Sequence, residues 1–209
     1  MASPTYEVLK VVAVEGYQPD WNAAGGIASI LSTVPGFIAA WQGLDVQDAK
    51  HLWLVIAWET IEHHRAFMAD KEKSPMMLQG LFQVATAVVF MNHVTFSRDL
   101  APVLDAPLTE FAIWTLKEGA DRAGFLEDLA ALHEQLKREI PDTEMIDGGW
   151  GAAVEDERKF FVGLGWHSLE RCTAAVAAAP NFIAQVRTAE EKHGEHAVNL
   201  VKLLKYPGA

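Results

Sequence analysis

The sequence Ala-Trp-Glu-Thr-Ile-Glu-His-His at 57–64 returns in related form as Gly-Trp-His-Ser-Leu-Glu-Arg-Cys at 165–172. In each copy a run of branched and aromatic residues ends at a tryptophan, and a hydroxyl residue follows shortly after it. Apolar runs of this length are typical of buried strands. Thr60 and Ser168 are suited to begin a helix, because their hydroxyls can accept hydrogen bonds from its first free N–H groups. Each copy therefore predicts a strand that leads into a helix.

The elements predicted around these two copies follow the same order, which indicates a tandem repeat. Residues 1–98 and 108–209 each read as β-α-β-β-α-β, and the proline-containing residues 99–107 read as a linker. The predicted strands cover residues 8–14, 37–44, 51–58, 88–97, 109–116, 145–154, 159–166 and 196–204. The predicted helices cover residues 21–33, 61–69, 76–85, 122–140, 169–178 and 182–192.

The predicted strands are apolar at nearly every position, so we expect both faces of each sheet to be buried. A β-α-β-β-α-β unit gives a four-stranded antiparallel sheet with its helices on one face. Two such units can cover each other's open faces. The sequence therefore predicts an α+β protein in which two tandem units pack into a barrel-like pseudo-dimer. The sequence does not decide whether two such pseudo-dimers associate as a homodimer.

The composition excludes several classes of function. The 209 residues carry a formal net charge of −11 and contain no basic run, which argues against nucleic-acid binding. The longest apolar run, residues 84–90, is far too short to cross a membrane, and the N-terminus lacks the pattern of a signal peptide. The single cysteine, Cys172, fits a reducing compartment and is interpreted as a packing residue. We therefore expect a soluble cytoplasmic protein.

Short motifs recur in the two halves. The first half contains Pro35-Gly36-Phe37, Trp41-x-Gly43 and Trp58-Glu59-Thr60-x-Glu62. The second half repeats them in part, at Trp150-Gly151 and at Trp166-His167-Ser168-x-Glu170. Together these motifs resemble the dimeric α/β-barrel superfamily of ferredoxin-like domains. The resemblance is to its branch of antibiotic-biosynthesis-type monooxygenases and stress-responsive barrel proteins.

The resemblance implies two tandem ferredoxin-like units that form an intramolecular dimeric α/β barrel, with an apolar ligand between a sheet and its helices. Members of the superfamily include cofactor-free oxygenases, aromatic polyketide cyclases, lactone isomerases and haem-binding or haem-degrading enzymes. A common motif of the family, His-Pro-x-His after the second helix, places a histidine in the ligand site. The matching stretches here are Ser74-Pro75-Met76-Met77 and Ala179-Pro180-Asn181-Phe182, so the role of that histidine does not transfer.

Histidines on predicted core strands are the candidate bases. His93, within the fourth strand, and His51, at the start of the third, are interpreted as catalytic, because imidazole titrates near neutral pH. The alternative for each is a core histidine that is hydrogen-bonded to the backbone or to water. Two further pairs have the spacing of metal ligands: Glu59 with His63, and His193 with His196. The first pair has no evident third ligand, and the second bridges a predicted helix end and strand start, so both are interpreted as solvated surface and no metal site is predicted.

Aromatic side chains dominate the predicted substrate site. Tryptophan supplies a large apolar surface and one N–H donor, which suits an aromatic ligand and suits a two-sheet core equally well. Trp58 and Trp166 recur by the repeat and are interpreted as structural. The predicted substrate-binding residues are Trp53, Trp114, Trp41, Met77, Phe90, His133 and His167.

Three functions remain as hypotheses. The first is an enzyme for an apolar, aromatic or polyketide-like molecule, acting as a monooxygenase, cyclase or isomerase through proton abstraction by His93 or His51. The sequence has no phosphate loop, Ser nucleophile elbow or Cys-x-x-Cys pair, so this enzyme would use no nucleotide cofactor. The second is a barrel that binds a hydrophobic ligand or haem, with His133, His167 or His93 as the haem ligand. The third is a stress-related structural barrel. In each case we expect an open pocket in at most one half.

Overall fold

The computed structural model describes residues 3–22 and 26–208 of the chain. Its strands are β1 (Thr5–Ala13), β2 (Phe37–Leu44), β3 (His51–Trp58), β4 (Ala85–Thr95), β5 (Leu108–Leu116), β6 (Met145–Ala152), β7 (Lys159–Trp166), β8 (Gly194–Val201) and β9 (Leu204–Lys205). Its helices are α1 (Ile27–Leu31), α2 (Ile61–Ala69), α3 (Lys73–Val84), α4 (Ala101–Leu104), α5 (Arg122–Glu139), α6 (Leu169–Ala177) and α7 (Pro180–His193). The predicted order of strands and helices is therefore present in each half.

Each half forms an antiparallel sheet with the strand order of a ferredoxin-like unit. The first sheet runs β4-β1-β3-β2, and the second runs β8-β5-β7-β6. The strand β9 pairs with β2, so the end of the chain returns to the sheet of the first half. The α+β class and the two-unit architecture predicted from the sequence are confirmed.

The two sheets pack face to face over a shared apolar layer. At its centre Trp53 of the first sheet stacks on Phe111 of the second, with ring centroids 5.0 Å apart. The sheet edges meet at two isolated bridges, Asp45 with Val201 and Val94 with Ala153. Over the described residues the ladders form two sheets and no closed ring of strands. The predicted barrel is thus a pair of packed sheets that touch at their edges.

Helices cover the opposite face of each sheet. Residues 52–58 of β3 are all buried, because alternate side chains point into the layer between the sheets and into the helix layer. The expectation that the strands are buried on both faces is confirmed for β3. None of the helices within the described ranges is both long and apolar enough to span a membrane.

Three segments differ from their predictions. The helix predicted at 21–33 is reduced to α1, Trp21 lies before it as a buried residue, and residues 23–25 fall outside the described part. The stretch predicted as a linker, 99–107, contains α4, whose Val103 and Leu104 are fully buried in the layer between the sheets. The single strand predicted at 196–204 is wrong, because β8 ends at Val201 and the chain then crosses to pair as β9 with the other sheet.

Candidate functional site

A cavity of about 510 Å³ lies between the second sheet and the helices α5, α6 and α7. Its walls are largely apolar and include the leucines that α5 turns toward the sheet, Leu129, Leu132 and Leu136. Polar side chains reach it at a few positions, among them Glu110 and His133. A cavity of this size, with apolar walls and few polar groups, is typical of a site for a small organic ligand.

Differences between the repeats explain why the cavity opens in the second half. Ala112 on β5 has the same register against its neighbouring strand as Leu9 has on β1. In the first half Phe67 of α2 fills the helix layer and stacks on Trp58, with ring centroids 5.8 Å apart. Counted from the tryptophan that precedes each helix, the equivalent residue of α6 is Ala175. Of these two positions Ala112 lines the cavity, and its small side chain leaves space beside the second sheet.

Glu110 on β5 is an acidic group on the sheet side of this cavity. The indole N–H of Trp166 donates to its Oε2 atom at 2.9 Å, and the thiol of Cys172 donates to the same oxygen at 3.8 Å. Burial raises the pKa of Glu110 to about 7, and these two hydrogen bonds oppose the rise. A carboxyl group that titrates near neutral pH beside an apolar cavity is a candidate general base.

Cys172 supports this carboxyl group and is not itself a nucleophile. Burial, and then the nearby charge of Glu110, raise the pKa of the Cys172 thiol to about 12. The reactive thiolate is therefore scarce at neutral pH. This agrees with the interpretation of the cysteine as a packing residue.

Two histidines also line the cavity, as do Thr173, Arg187 and Glu190. His133 is buried against Trp150, with ring centroids 4.9 Å apart, and its Nε2 atom has no hydrogen-bond partner among the described residues. Burial, assisted by nearby cationic side chains, lowers the pKa of His133, so its imidazole is neutral near pH 7. His196 stacks on Trp114 at a centroid distance of 4.6 Å, and its Nδ1 atom lies 3.0 Å from Glu190 Oε1.

A second polar cluster occupies the equivalent place in the first half. Glu7 on β1 corresponds to Glu110, and its Oε2 atom accepts a 3.1 Å hydrogen bond from the indole of Trp58. His64 of α2 corresponds to Cys172, and its Nε2 atom lies 3.4 Å from Glu7 Oε2. His93 on β4 is the cross-strand neighbour of Glu7, and its Nε2 atom is hydrogen-bonded to His64 Nδ1 at 2.7 Å.

Glu155, from the hairpin between β6 and β7, extends this cluster. Its carboxylate accepts the backbone N–H of His93 at 2.8 Å and lies 2.5 Å from His93 Nδ1. Burial raises the pKa of Glu7, while burial and then the charge of His93 lower the pKa of His64 to about 4. Burial therefore favours the neutral form of both groups.

The structure distributes the predicted site residues over several places. Trp114 and His133 line the cavity. His93 lies in the first-half cluster, and His51 lies at the edge of a hairpin, 3.1 Å from Asp48. Neither of the two predicted bases lines the cavity.

The other predicted substrate-binding residues lie outside the cavity as well. Trp53, Trp41 and Phe90 belong to the layer between the two sheets. Met77 is part of the helix layer of the first half, and His167 is exposed. Aromatic content therefore does not separate a ligand-binding residue from a core residue in this fold.

The two residue pairs with the spacing of metal ligands lie in different environments. His63 is half-exposed on α2 and lies 3.7 Å from Glu59, at the surface of the helix. The surface interpretation of the other pair is wrong. His193 is buried and lies 2.7 Å from Asp128, and His196 borders the cavity. Both turn inward because β8 begins directly after α7.

Glu7, Glu110 and His64 did not stand out from the sequence. The signal that could have found the two glutamates is that each is an acidic residue within a largely apolar strand of its half. A carboxyl group in a strand buried on both faces requires a hydrogen-bond partner, and the tryptophan that ends β3 or β7 supplies it.

Known proteins resemble this chain in fold and not in sequence. No protein-family model matches the chain, and no curated protein matches it in sequence. Among solved structures, a proposed monooxygenase of Fusobacterium nucleatum is 10% identical, with 98% of each chain covered and a TM-score of 0.69. An anthrone oxidase-like protein is 13% identical, with 97% of this chain and 92% of that chain covered and a TM-score of 0.71.

The chain has the dimeric α/β-barrel fold. A haem-binding protein from Thermus thermophilus shares this dimeric α/β-barrel fold at 10% identity, with 96% of this chain and 92% of that chain covered and a TM-score of 0.55. At such identities the likeness concerns the fold alone.

Proposed function

We propose that the chain is an enzyme that acts on an apolar, aromatic small molecule in the second-half cavity without a nucleotide cofactor. The observation that carries this proposal is Glu110, a carboxyl group with a pKa raised to about 7 that borders an apolar cavity of about 510 Å³. The occurrence of this fold in a proposed monooxygenase and in an anthrone oxidase-like protein supports the choice of reaction class.

The proposed reaction begins with proton transfer to Glu110. The ionised carboxylate takes a proton from an acidic C–H or O–H group of the bound molecule, and the electron pair of that bond stays on the molecule. The donors on Oε2, Trp166 and Cys172, hold the carboxylate in place. The free Nε2 of neutral His133 can donate a hydrogen bond to a ligand oxygen on which negative charge develops.

The cavity walls determine what the resulting anion can do. Apolar side chains from α5 and from the sheet exclude water, which protects a reactive anion from protonation. The anion can then react with dioxygen, as in a monooxygenase, or rearrange, as in a cyclase or isomerase. The base assigned here is Glu110 in place of the predicted His93 and His51, because Glu110 borders the cavity.

The test is a screen of polycyclic aromatic ketones and phenols, anthrones among them, for oxygen uptake and product formation. Glu110→Gln should lower kcat by about 10²- to 10⁴-fold, which is the usual contribution of a general base, while ligand affinity is retained. The matched control is Glu118→Gln, which removes a carboxylate from an exposed position and should turn over at the wild-type rate. Wild-type turnover by Glu110→Gln would overturn the assignment.

A second candidate, a haem-binding protein, is favoured by His133. Its buried Nε2 atom lacks a partner among the described residues and belongs to a residue of the cavity wall, so it could bind the iron of a haem placed in the cavity. A bound haem would supply redox chemistry that the side chains lack. Addition of haem to the purified protein should then give a saturable Soret band that His133→Ala abolishes. An unchanged free-haem spectrum would exclude this candidate.

A further inference from the structure

Glu7, His64 and His93 bring two imidazoles and a carboxylate together in the first half. They come from three different elements, β1, α2 and β4, and at least 96% of the surface of each residue is buried. Their candidate ligand atoms all lie within 4.8 Å of one another. We propose that these three side chains bind one zinc-class divalent metal ion. The proposed site is in the opposite half from the cavity and does not depend on the function proposed above.

The hydrogen bonds around the cluster determine where its lone pairs lie. When His93 is neutral, Glu155 accepts its Nδ1–H and His93 Nε2 carries a lone pair. That lone pair accepts the Nδ1–H of His64, which leaves a second lone pair on His64 Nε2. This nitrogen is buried and has no hydrogen-bond partner within the described part of the chain, although Glu7 Oε2 lies 3.4 Å away. When Glu7 is ionised, these two atoms are both acceptors, and a cation between them stabilises the pair in its buried site.

The distance between these two atoms fits ligands of one ion. Two atoms bonded to a tetrahedral Zn²⁺ at about 2.0–2.1 Å are separated by about 3.4 Å. The 3.4 Å between His64 Nε2 and Glu7 Oε2 matches this spacing and is longer than an ordinary hydrogen bond of about 2.9 Å. His93 becomes the third ligand when its imidazole turns from His64 Nδ1 toward the ion, and water can fill a fourth position.

The donor set selects the class of metal. Two imidazole nitrogens and one carboxylate oxygen suit Zn²⁺ and neighbouring transition metals, whereas Ca²⁺ and Mg²⁺ require mainly oxygen ligands. The outer groups fit a metal site too. Glu155 holds the far nitrogen of His93 and Trp58 holds Glu7, as second-layer partners of metal ligands commonly do. The Glu155 side chain is 36% exposed, which gives the cluster contact with solvent at its rim.

The experiment uses the full chain after treatment with a chelator. Titration with Zn²⁺ by calorimetry should give one ion per chain, and titration with Co²⁺ should give the intense visible absorption of a four-coordinate ion. Glu7→Gln and His93→Gln should each weaken binding by about 100-fold or more, since each removes a direct ligand. His63→Gln is the matched control, because this half-exposed histidine lies beside His64 on α2, and binding should be unchanged.

Glu155→Gln adds a graded test. Loss of an outer partner should weaken binding by about 10- to 100-fold while the Co²⁺ spectrum keeps its four-coordinate form. The wild-type spectrum decides the matter even if a ligand variant fails to fold. A weak six-coordinate spectrum, or no saturable binding by the wild-type chain, would overturn the proposal. Wild-type affinity in both Glu7→Gln and His93→Gln would also overturn it, by assigning the ion to surface groups.

Discussion

Glu110→Gln keeps the shape of the side chain and removes its titration, so it isolates the effect of the partly buried carboxyl group on stability. In the folded chain the pKa of Glu110 is raised from 4.5 to about 7, with burial as the largest cause. One pKa unit corresponds to about 1.4 kcal/mol, so the shift is worth roughly 3 kcal/mol of unfolding free energy. Because the folded state holds the proton more tightly, this stability is fully present below pH 4.5. It is lost as the pH rises to about 7.

The assay is urea denaturation of the wild-type chain and of Glu110→Gln at intervals from pH 4 to pH 9. Relative to the variant, the wild-type chain should lose roughly 3 kcal/mol between pH 4.5 and 7 and then stay level. The comparison removes all other titrations, since both proteins share them. Glu118→Gln, at an exposed position, serves as the control and should follow the wild-type chain. A constant difference between wild type and Glu110→Gln across the range would refute the assignment of a raised pKa to this carboxyl group.

Three further changes test the packing and the site. Ala112→Leu places a larger side chain on the cavity wall and should weaken the binding of an aromatic ligand at least about 10-fold, as measured by tryptophan-fluorescence titration. Undiminished affinity would show that the ligand binds elsewhere. Trp53→Ala should lower the free energy of unfolding by about 3–5 kcal/mol in urea denaturation, because Trp53 is fully buried between the sheets. The control Val88→Ala changes an exposed residue and should lower it by under about 0.5 kcal/mol. Similar losses in the two variants would contradict the described packing. Trp166→Phe removes a hydrogen bond to ionised Glu110 and should raise the pKa of this carboxyl group further. The pKa can be measured from the infrared carboxylate band. An unchanged or lower pKa would show that the indole does not stabilise the anion.

Most of the fold follows from short-range patterns in the sequence. The strands ending at Trp58 and Trp166 begin and end where predicted, because an apolar run and a polar hairpin loop define each strand locally. Ser168 caps its helix through the N–H of Arg171, as the sequence suggested. Thr60 occupies the corresponding N-cap position without a side-chain bond to the helix backbone, and its hydroxyl lies 3.3 Å from His63 Nδ1.

The site could be predicted less well, because it depends on contacts between distant parts of the chain. Glu155 reaches His93 from the other half of the molecule, and no local pattern indicates that contact. The strands are apolar on both faces, so the sequence does not reveal that Trp53 points between the sheets while Trp114 borders the cavity. The location of the cavity depends on pairs such as Leu9 and Ala112, whose correspondence becomes clear once the strand registers are known.

Removal of a proton by Glu110 from a molecule held in the second-half cavity is the first step of the proposed reaction. Its most direct test is anaerobic solvent-deuterium exchange at the acidic carbon of a polycyclic aromatic ketone, followed by NMR with the wild-type chain and with Glu110→Gln. The wild-type chain should accelerate exchange by at least about 10²-fold, and Glu110→Gln should lose this acceleration while still binding the ketone. Equal exchange rates with the two proteins would contradict this role of Glu110.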